Sequence, residues 1–423
     1  MRKKKLEYSS RTERIDFILW LLISILPVII FPPYEEDIFN VIKGPVFFIA
    51  GIAILILLIK DKKWDNSLIS WLFVCYLFLQ FLSSVFAFNP LLAFFGLSKN
   101  AGRFEGFITL FIYSTLFYAA KNHMIITKKK VIISFSVLSI VSVYSLIQYF
   151  QFDPLVIYKK FRPLTFSTIG NQNFVGSLVL MLTILAFGLF VHFKKWYYAL
   201  FFSLFFSSLL VSQARSCWVA FIIVASGMII YILLFKRKKW DSLLISLILM
   251  LLISVGLNQA RNDKLIARSQ TIKKEFTERG EYGGSGRLKI WEITLKVIKD
   301  HPILGAGPEN LKLAIQLENK KEMDDYFRVK KTNFDKAHNE YLHIAAVSGI
   351  PTLSVYLTIL AILFFKNRKN CFQDNIKSLL MLSILAYLIQ AFFNISVIAV
   401  APTFWILLGL LAQDSKSTGQ ISS

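Results

Sequence analysis

The sequence has few charged residues, few cysteines and almost no long polar stretch. Only 17% of its 423 residues are charged, whereas 55% are hydrophobic, and the mean hydropathy is +0.57. A soluble protein of this length would expose too many apolar side chains to water. Internal repeats and low-complexity tracts are also lacking. The composition therefore excludes an ordinary soluble domain and a repeat protein, and it indicates a membrane protein.

The chain has only three cysteines, and they form no CxxC pair or metal-binding spacing. Cys75 and Cys217 lie in apolar runs, and Cys371 lies in a short basic loop. Such isolated cysteines favour a packing role over a disulfide or a metal ligand. The cysteines therefore indicate no metal site. We expect neither a metal nor another cofactor.

The apolar residues are grouped in continuous runs separated by short charged segments. A helix needs about 20 apolar residues to cross the hydrocarbon core of a bilayer, and continuous rather than alternating runs favour helices over barrel strands. The basic start MRKKK precedes an apolar run with no small-residue cleavage site, which favours an uncleaved first span over a signal peptide. We predict about twelve transmembrane helices, at residues 17–32, 45–60, 67–88, 106–120, 131–150, 174–193, 197–213, 217–235, 242–257, 347–365, 376–394 and 397–412.

The excess of basic residues indicates the orientation in the membrane. Lys and Arg number 48 against 26 Asp and Glu, and they are concentrated in alternate short loops, as the positive-inside rule requires. Because these short loops are spread along the whole chain, the basic residues form no single patch, which argues against a nucleic-acid partner. One loop, with Lys159, Lys160 and Arg162, breaks the pattern. We predict that both termini are cytoplasmic and that residues 1–423 form a single polytopic membrane domain.

One long polar segment, residues 258–337, precedes the last three predicted spans. Long loops translocate largely regardless of charge, so the orientation puts this one outside the cytoplasm. Apolar residues at 288, 291, 295 and 298 predict a helix from Arg287 to Ile298, with Ser285 as a cap and Pro302 as the stop. A second helix is predicted over 337–347, with Asp335 as its cap.

Two arginines at the edges of apolar segments are candidates for binding an anion. Arg215 stands at the outer end of a predicted span, where it either reaches lipid phosphate or faces a water-filled cavity and holds an anionic substrate. Arg287 follows GGSG, which lets the backbone approach a ligand, and Trp291 lies one turn later on the same helical face. Trp291 is equally consistent with a role as a membrane-interface anchor.

His338 lies where the long segment re-enters the membrane. The predicted helix gives residues 338, 341 and 345 a common face, and the positive end of a helix favours the neutral imidazole that a general base needs. A packed or interfacial histidine is the alternative. His343 and His301 are weaker candidates. The segment GAGPEN (305–310) lacks GxGxxG spacing and a preceding strand, so it is predicted to be a turn rather than a phosphate-binding loop.

Taken together, several segments resemble the O-antigen ligase and O-antigen polymerase superfamily of bacterial envelope enzymes. The matching segments are SQARSCW, GSGRLKIWEITLKVIKDHPILGAGPEN and KAHNEYLHIAAVSGIP, with looser similarity in GRFEG and STIGNQNFVGS. One departure is Ala214, where relatives often carry a small hydroxyl residue before the arginine. The resemblance implies a multi-pass enzyme of the bacterial cytoplasmic (inner) membrane. Its implied fold is an all-α glycosyltransferase of the GT-C type with one large extracytoplasmic loop.

The resemblance also implies the reaction. A glycan is transferred from a polyprenyl (undecaprenyl) diphosphate carrier to a hydroxyl of lipid A–core in a ligase, or to a growing glycan in a polymerase; a protein acceptor is a further alternative. The ligase of lipopolysaccharide biosynthesis is the favoured interpretation. The family's essential arginines correspond to Arg215 and Arg287, and its essential histidine to His338.

These roles are chemically consistent with each other. Two arginines can hold the departing diphosphate through charge-assisted hydrogen bonds without a metal, and His338 can take the acceptor proton during an inverting attack. Further candidate substrate contacts are Arg103, Arg162, Glu105, Trp291 and Tyr341.

Two alternatives remain open. A metal-dependent oligosaccharyltransferase would use the acidic cluster Glu35, Glu36 and Asp37, which is otherwise a solvated loop. A transporter or flippase suits twelve spans, but such proteins generally place ionisable residues deep inside the spans. Here the middles of the predicted spans hold Gln80, Gln148 and Gln390 and almost no charge.

Overall fold

The computed structural model describes residues 2–30, 39–61, 65–96, 104–153, 165–262, 264–277, 286–369 and 376–413. All regular elements in these ranges are helical. They are α1 (Arg2–Ile25), α2 (Asn40–Asp61), α3 (Leu68–Val85), α4 (Pro90–Phe95), α5 (Phe107–His123), α6 (Lys128–Tyr149), α7 (Gln172–Phe193), α8 (Trp196–Val211), α9 (Arg215–Phe235), α10 (Trp240–Gln259), α11 (Lys264–Thr277), α12 (Arg287–Asp300), α13 (Leu311–Glu318), α14 (Lys320–Lys330), α15 (Glu340–Asn367), α16 (Ile376–Ala391) and α17 (Ala401–Ala412). The prediction of an all-α protein is confirmed.

Each of the twelve predicted spans falls on a helix, but not every helix has the length of a span. In the described ranges, seven helices are long and apolar enough to cross a membrane, namely α2, α3, α6, α7, α9, α10 and α15. The apolar helices α8, α16 and α17 are shorter. The structure therefore agrees with a multi-pass membrane protein, and the count of twelve stays a prediction.

Helix α7 occupies the centre of the helical bundle. In its most apolar window 89% of the residues are buried, against 17% in α10, so α10 lies at the periphery of the bundle. Helix α7 packs against α8, α9 and α16, and α17 packs against α5. Gly176 of α7 permits the approach of α9, because a Cβ there would lie 2.6 Å from the Cβ of Ala214.

The segment between α10 and α15 is folded and has a hydrophobic core of its own. Helix α12 confirms the predicted helix and ends before His301 and Pro302. Buried side chains of α12, α13, α14 and the start of α15 form one cluster, which includes Ile293, Leu311 and Tyr326. Through this cluster the segment packs against α15. Its position outside the cytoplasm stays a prediction.

Helix α15 is broken in the middle. Gly349 has φ 85° and ψ 161°, which is not helical, and Pro351 follows. The turn formed by GAGPEN lies against this break, since Ala306 N–H donates to Ala346 O at 2.9 Å and Gly307 N–H donates to Val347 O at 2.8 Å. These backbone donors are therefore used within the protein, and the prediction of a turn is confirmed.

Candidate functional site

His338 stands immediately before α15 rather than inside it. The helix begins at Glu340, because the side chain of Asn339 caps it by accepting from Leu342 N–H at 3.0 Å. The predicted helix start at 337, the Asp335 cap and the shared face of residues 338, 341 and 345 are thus wrong. His338 has φ 49°, a left-handed conformation that histidine adopts more readily than most residues. The residue is partly exposed and adjacent to a helix N-terminus.

Arg215 and Arg287 are each the first residue of a helix. Arg215 starts α9 after a tight turn in which Gln213 has φ 55°, and Arg287 starts α12 after Gly286, which has φ 82°. The predicted Ser285 cap lies outside the described residues, and Gly286 takes the capping position. Both arginine side chains are partly exposed. Each cation therefore adds to the partial positive charge of a helix N-terminus.

The two arginines lie in one region of the molecule. Nη1 of Arg215 donates to Oγ1 of Thr271 in α11 at 3.1 Å. The Arg287 guanidinium is close enough to the thiol of Cys217, in the first turn of α9, for the two groups to interact electrostatically. The starts of α9 and α12 and the middle of α11 therefore lie close together, although residues 215 and 287 are far apart in sequence.

The last turn of α16 contacts the starts of α7 and α9. Oγ of Ser177 donates to Oε1 of Gln390 at 3.0 Å, and Nδ2 of Asn394 donates to the same hydroxyl at 2.9 Å. Sγ of Cys217 lies 4.0 Å from Oε1 of Gln390. A polar patch thus joins the N-termini of α7 and α9 to the C-terminal end of α16.

The starts of α12 and α15 reach the same end of α16 through aromatic side chains. The rings of Trp291 and Phe393 are 6.1 Å apart, and those of Tyr341 and Phe392 are 4.6 Å apart. The hydroxyl of Tyr341 donates to Leu388 O at 2.8 Å. The N-termini of α7, α9, α12 and α15 therefore converge around residues 388–394, and a convergence of helix N-termini favours an anion.

The indole N–H of Trp291 is buried and has no hydrogen-bond partner among the described residues. Buried donors in native proteins are normally paired. An acceptor such as a substrate oxygen would complete this one. Trp291 thus remains a candidate substrate contact beside Arg287, whereas the Tyr341 hydroxyl already has a partner.

Several candidate residues lie outside the described ranges. They are Arg103, Arg162, Cys371 and the acidic cluster Glu35, Glu36 and Asp37. In the part of the chain that is described, no group of three or more His, Cys, Asp or Glu is arranged to hold a metal ion.

Glu105 lies away from the arginines, in a small buried cavity of about 60 Å³. The hydroxyl of Tyr113 donates to Oε1 of Glu105 at 2.8 Å. Burial raises the pKa of Glu105 to about 8, although the bond from Tyr113 and the charge of Lys336 oppose the increase. The cavity can hold ordered water, and neither Arg215 nor Arg287 lines it. Glu105 is therefore grouped with other buried polar residues rather than with the anion site.

Sequence reasoning missed three charged residues of this cavity, Glu309, Lys336 and Glu340. Lys336 and Glu309 form an ion pair whose side chains are 3% and 5% exposed. Glu340 is also buried and accepts hydrogen bonds from Tyr356 and Tyr387. The available signal was their position in the motifs GAGPEN and KAHNEY, where Lys336 and Glu340 flank His338 at two residues on either side.

Comparison with known proteins shows one family similarity, over the part of the chain that contains these residues. No curated protein matches the chain significantly. Residues 200–357 match the family model described as O-Antigen ligase, and this range contains Arg215, Arg287 and His338. The match confirms the resemblance to the O-antigen ligase and O-antigen polymerase superfamily that was predicted from the sequence.

Proposed function

We propose that this protein is a membrane glycosyltransferase that moves a glycan from a polyprenyl diphosphate carrier to an acceptor hydroxyl. The observation that carries the proposal is the convergence of four helix N-termini, two of which begin with an arginine. Helix N-termini and arginine cations both favour a diphosphate. The O-Antigen ligase match over residues 200–357 supports the same reaction class.

Arg215 and Arg287 bind the diphosphate in this proposal. Cleavage of the glycosyl–diphosphate bond leaves negative charge on the departing oxygens, and guanidinium donors stabilise that charge as it develops. The two side chains come from different helices, α9 and α12, so they can hold the leaving group from two directions. This arrangement supplies the charge stabilisation that a divalent cation provides in other transferases.

His338 takes the proton of the acceptor hydroxyl. The oxygen attacks the anomeric carbon, the bond to the diphosphate breaks, and the proton passes to the imidazole. Attack from the side opposite the leaving group inverts the anomeric centre. The start of α15 next to His338 favours the neutral ring that a base requires.

The surrounding residues complete the proposed site. Trp291 and Tyr341 flank the arginines as candidate contacts for lipid or sugar, and Arg103 and Arg162 stay candidates on the sequence alone. We place residues 258–337 and the site at the extracytoplasmic face of the bacterial inner membrane, with both termini cytoplasmic. Diphosphate-linked glycans displayed on that face can then reach the arginines from the bilayer.

The test is transfer of a defined lipid-linked glycan by purified protein in proteoliposomes. The change His338→Ala should lower the rate by a factor of about 100 to 10,000, the usual contribution of a general base. A matched control is His301→Ala, because His301 is partly exposed and pairs with Glu318 at 2.9 Å. A normal rate for the His338→Ala protein would show that the histidine is not the base.

Ligase and polymerase activities share the donor and differ in the acceptor. We favour the ligase. Deletion of the gene should then abolish capped glycan while the lipid-linked polymer is retained. Loss of long chains with retention of a single capped unit would instead indicate a polymerase.

A further inference from the structure

The chain on both sides of His338 is tied to buried polar groups. Lys336, two residues before it, pairs with Glu309 of the GAGPEN turn. Glu340, two residues after it, accepts hydrogen bonds from two tyrosines. Five buried residues make these two attachments, namely Glu309, Lys336, Glu340, Tyr356 and Tyr387.

Glu340 connects three parts of the fold. Its Oε1 accepts from the hydroxyl of Tyr356 at 3.4 Å, and its Oε2 accepts from the hydroxyl of Tyr387 at 3.2 Å. Tyr356 lies in α15 beyond the break at Gly349, and Tyr387 lies in α16. The residue is 8% exposed, so these bonds are shielded from competition with water.

The break in α15 makes such a connection necessary. The non-helical backbone of Gly349 interrupts the hydrogen-bond ladder, so residues 340–348 are not held rigidly to residues 350–367 by the helix itself. The Glu340–Tyr356 bond spans the break by side chains. A second support comes from α3, where Gln80 Oε1 accepts from Ser348 Oγ at 2.7 Å and Ser83 Oγ donates to Val347 O at 2.9 Å.

We propose that Glu340 is a positioning residue that fixes the start of α15, and with it His338, relative to the diphosphate site at the end of α16. This inference rests on the proposed function. Tyr387 immediately precedes the segment 388–394 that the arginine-bearing helices surround. The Glu340–Tyr387 bond therefore links the segment that carries the base directly to the element around which the anion site is built.

The Lys336–Glu309 pair acts on the other side of His338. It ties the chain to the GAGPEN turn, which itself bonds to Ala346 and Val347 of α15. His338 is thereby held in its left-handed conformation, with φ 49°, between two buried attachments. A catalytic group held at both ends loses little freedom, and displacement of about 1 Å can cost about 100-fold in rate.

The experiment compares Glu340→Ala with Glu340→Gln in the proteoliposome transfer assay. We expect Glu340→Ala to lower kcat about 100-fold while KM for the lipid-linked donor changes less than about twofold, because the arginines remain in place. Glu340→Gln should recover at least tenfold over alanine, since the amide oxygen still accepts from a tyrosine hydroxyl. Tyr387→Phe should fall between these variants.

A matched control is Tyr198→Phe, since Tyr198 is a buried tyrosine of α8 whose hydroxyl has no hydrogen-bond partner among the described residues. It should leave kcat unchanged. The inference is overturned if Glu340→Ala keeps the wild-type kcat. It is also overturned if glutamine is as inactive as alanine and donor KM rises in parallel, because that pattern indicates a general structural role.

The same assay separates this inference from the proposed function. A protein that transfers glycan, is inactivated by His338→Ala and tolerates Glu340→Ala would refute only the positioning role. A protein whose transfer is unaffected by His338→Ala would refute the proposed mechanism itself.

Discussion

Replacement of Gly349 by alanine is the sharpest test of how the site is built. Gly349 forms the break in α15, and its backbone at φ 85° and ψ 161° lies in a region populated almost only by glycine. A Cβ on this residue would lie 1.9 Å from Ile303 O, far inside van der Waals contact. The substitution therefore perturbs both the backbone of α15 and the turn packed against it.

The cost follows from these two contacts. The strained backbone alone costs about 1–3 kcal/mol for a residue with a side chain. Relief of the overlap moves the chain around Ile303 by about 1 Å, since real Cβ contacts are rarely shorter than 3.0 Å. That movement weakens the bonds from Ile350 N–H to Pro302 O at 2.8 Å and from Ala306 N–H to Ala346 O at 2.9 Å. Each is worth about 1 kcal/mol, so the total is about 3–5 kcal/mol.

The measurement is the free energy of unfolding, obtained by denaturant titration in mixed micelles, together with the transfer rate. The matched controls are Gly227→Ala and Gly256→Ala, because a Cβ added to either of these helical glycines would have no atom within 4 Å beyond the adjoining backbone of its own helix. Alanine there should be neutral or stabilise by up to about 1 kcal/mol. If Gly349→Ala cost less than about 1 kcal/mol and kept full activity, the break in α15 would not position the site.

Three further outcomes are expected. Arg287→Lys should lower transfer at least tenfold, because an ammonium lacks the bidentate fork that matches a diphosphate; the exposed Arg328→Ala variant is the control, and equal activity of the two would contradict the role. EDTA should leave the transfer rate unchanged. Loss of transfer activity in EDTA would favour the acidic cluster at residues 35–37 as a metal site. Burial raises the pKa of Glu105 from 4.5 to about 8, so the folded state favours the protonated acid and loses stability as pH rises from about 4.5 to 8. Glu105→Gln should therefore be more stable than wild type at pH 9 and equal to it near pH 4; the same difference at both pH values would refute the burial of an acid at this position.

The helices were predictable because their signals are local. The spacing of residues 288, 291, 295 and 298 was enough to place α12, and the residues of GAGPEN were enough to indicate a turn. The start of α15 was predicted three residues too early. Both Asp335 and Asn339 can cap a helix, and only the packing of Ala337 and Lys336 into the protein selects Asn339.

The sequence by itself determined that this is a helical, multi-pass type of chain, and it singled out Arg215, Arg287 and His338. Apolar run length and helix propensity are properties of neighbouring residues, so they can be read without a structure. Only the tertiary structure decided which helix ends meet. Ser177 and Gln390 are 213 residues apart, and Glu340 and Tyr387 are 47 apart. Such contacts depend on how whole helices pack around α7 and α16, and that packing brings four helix N-termini together and attaches the chain around His338 to a buried carboxylate.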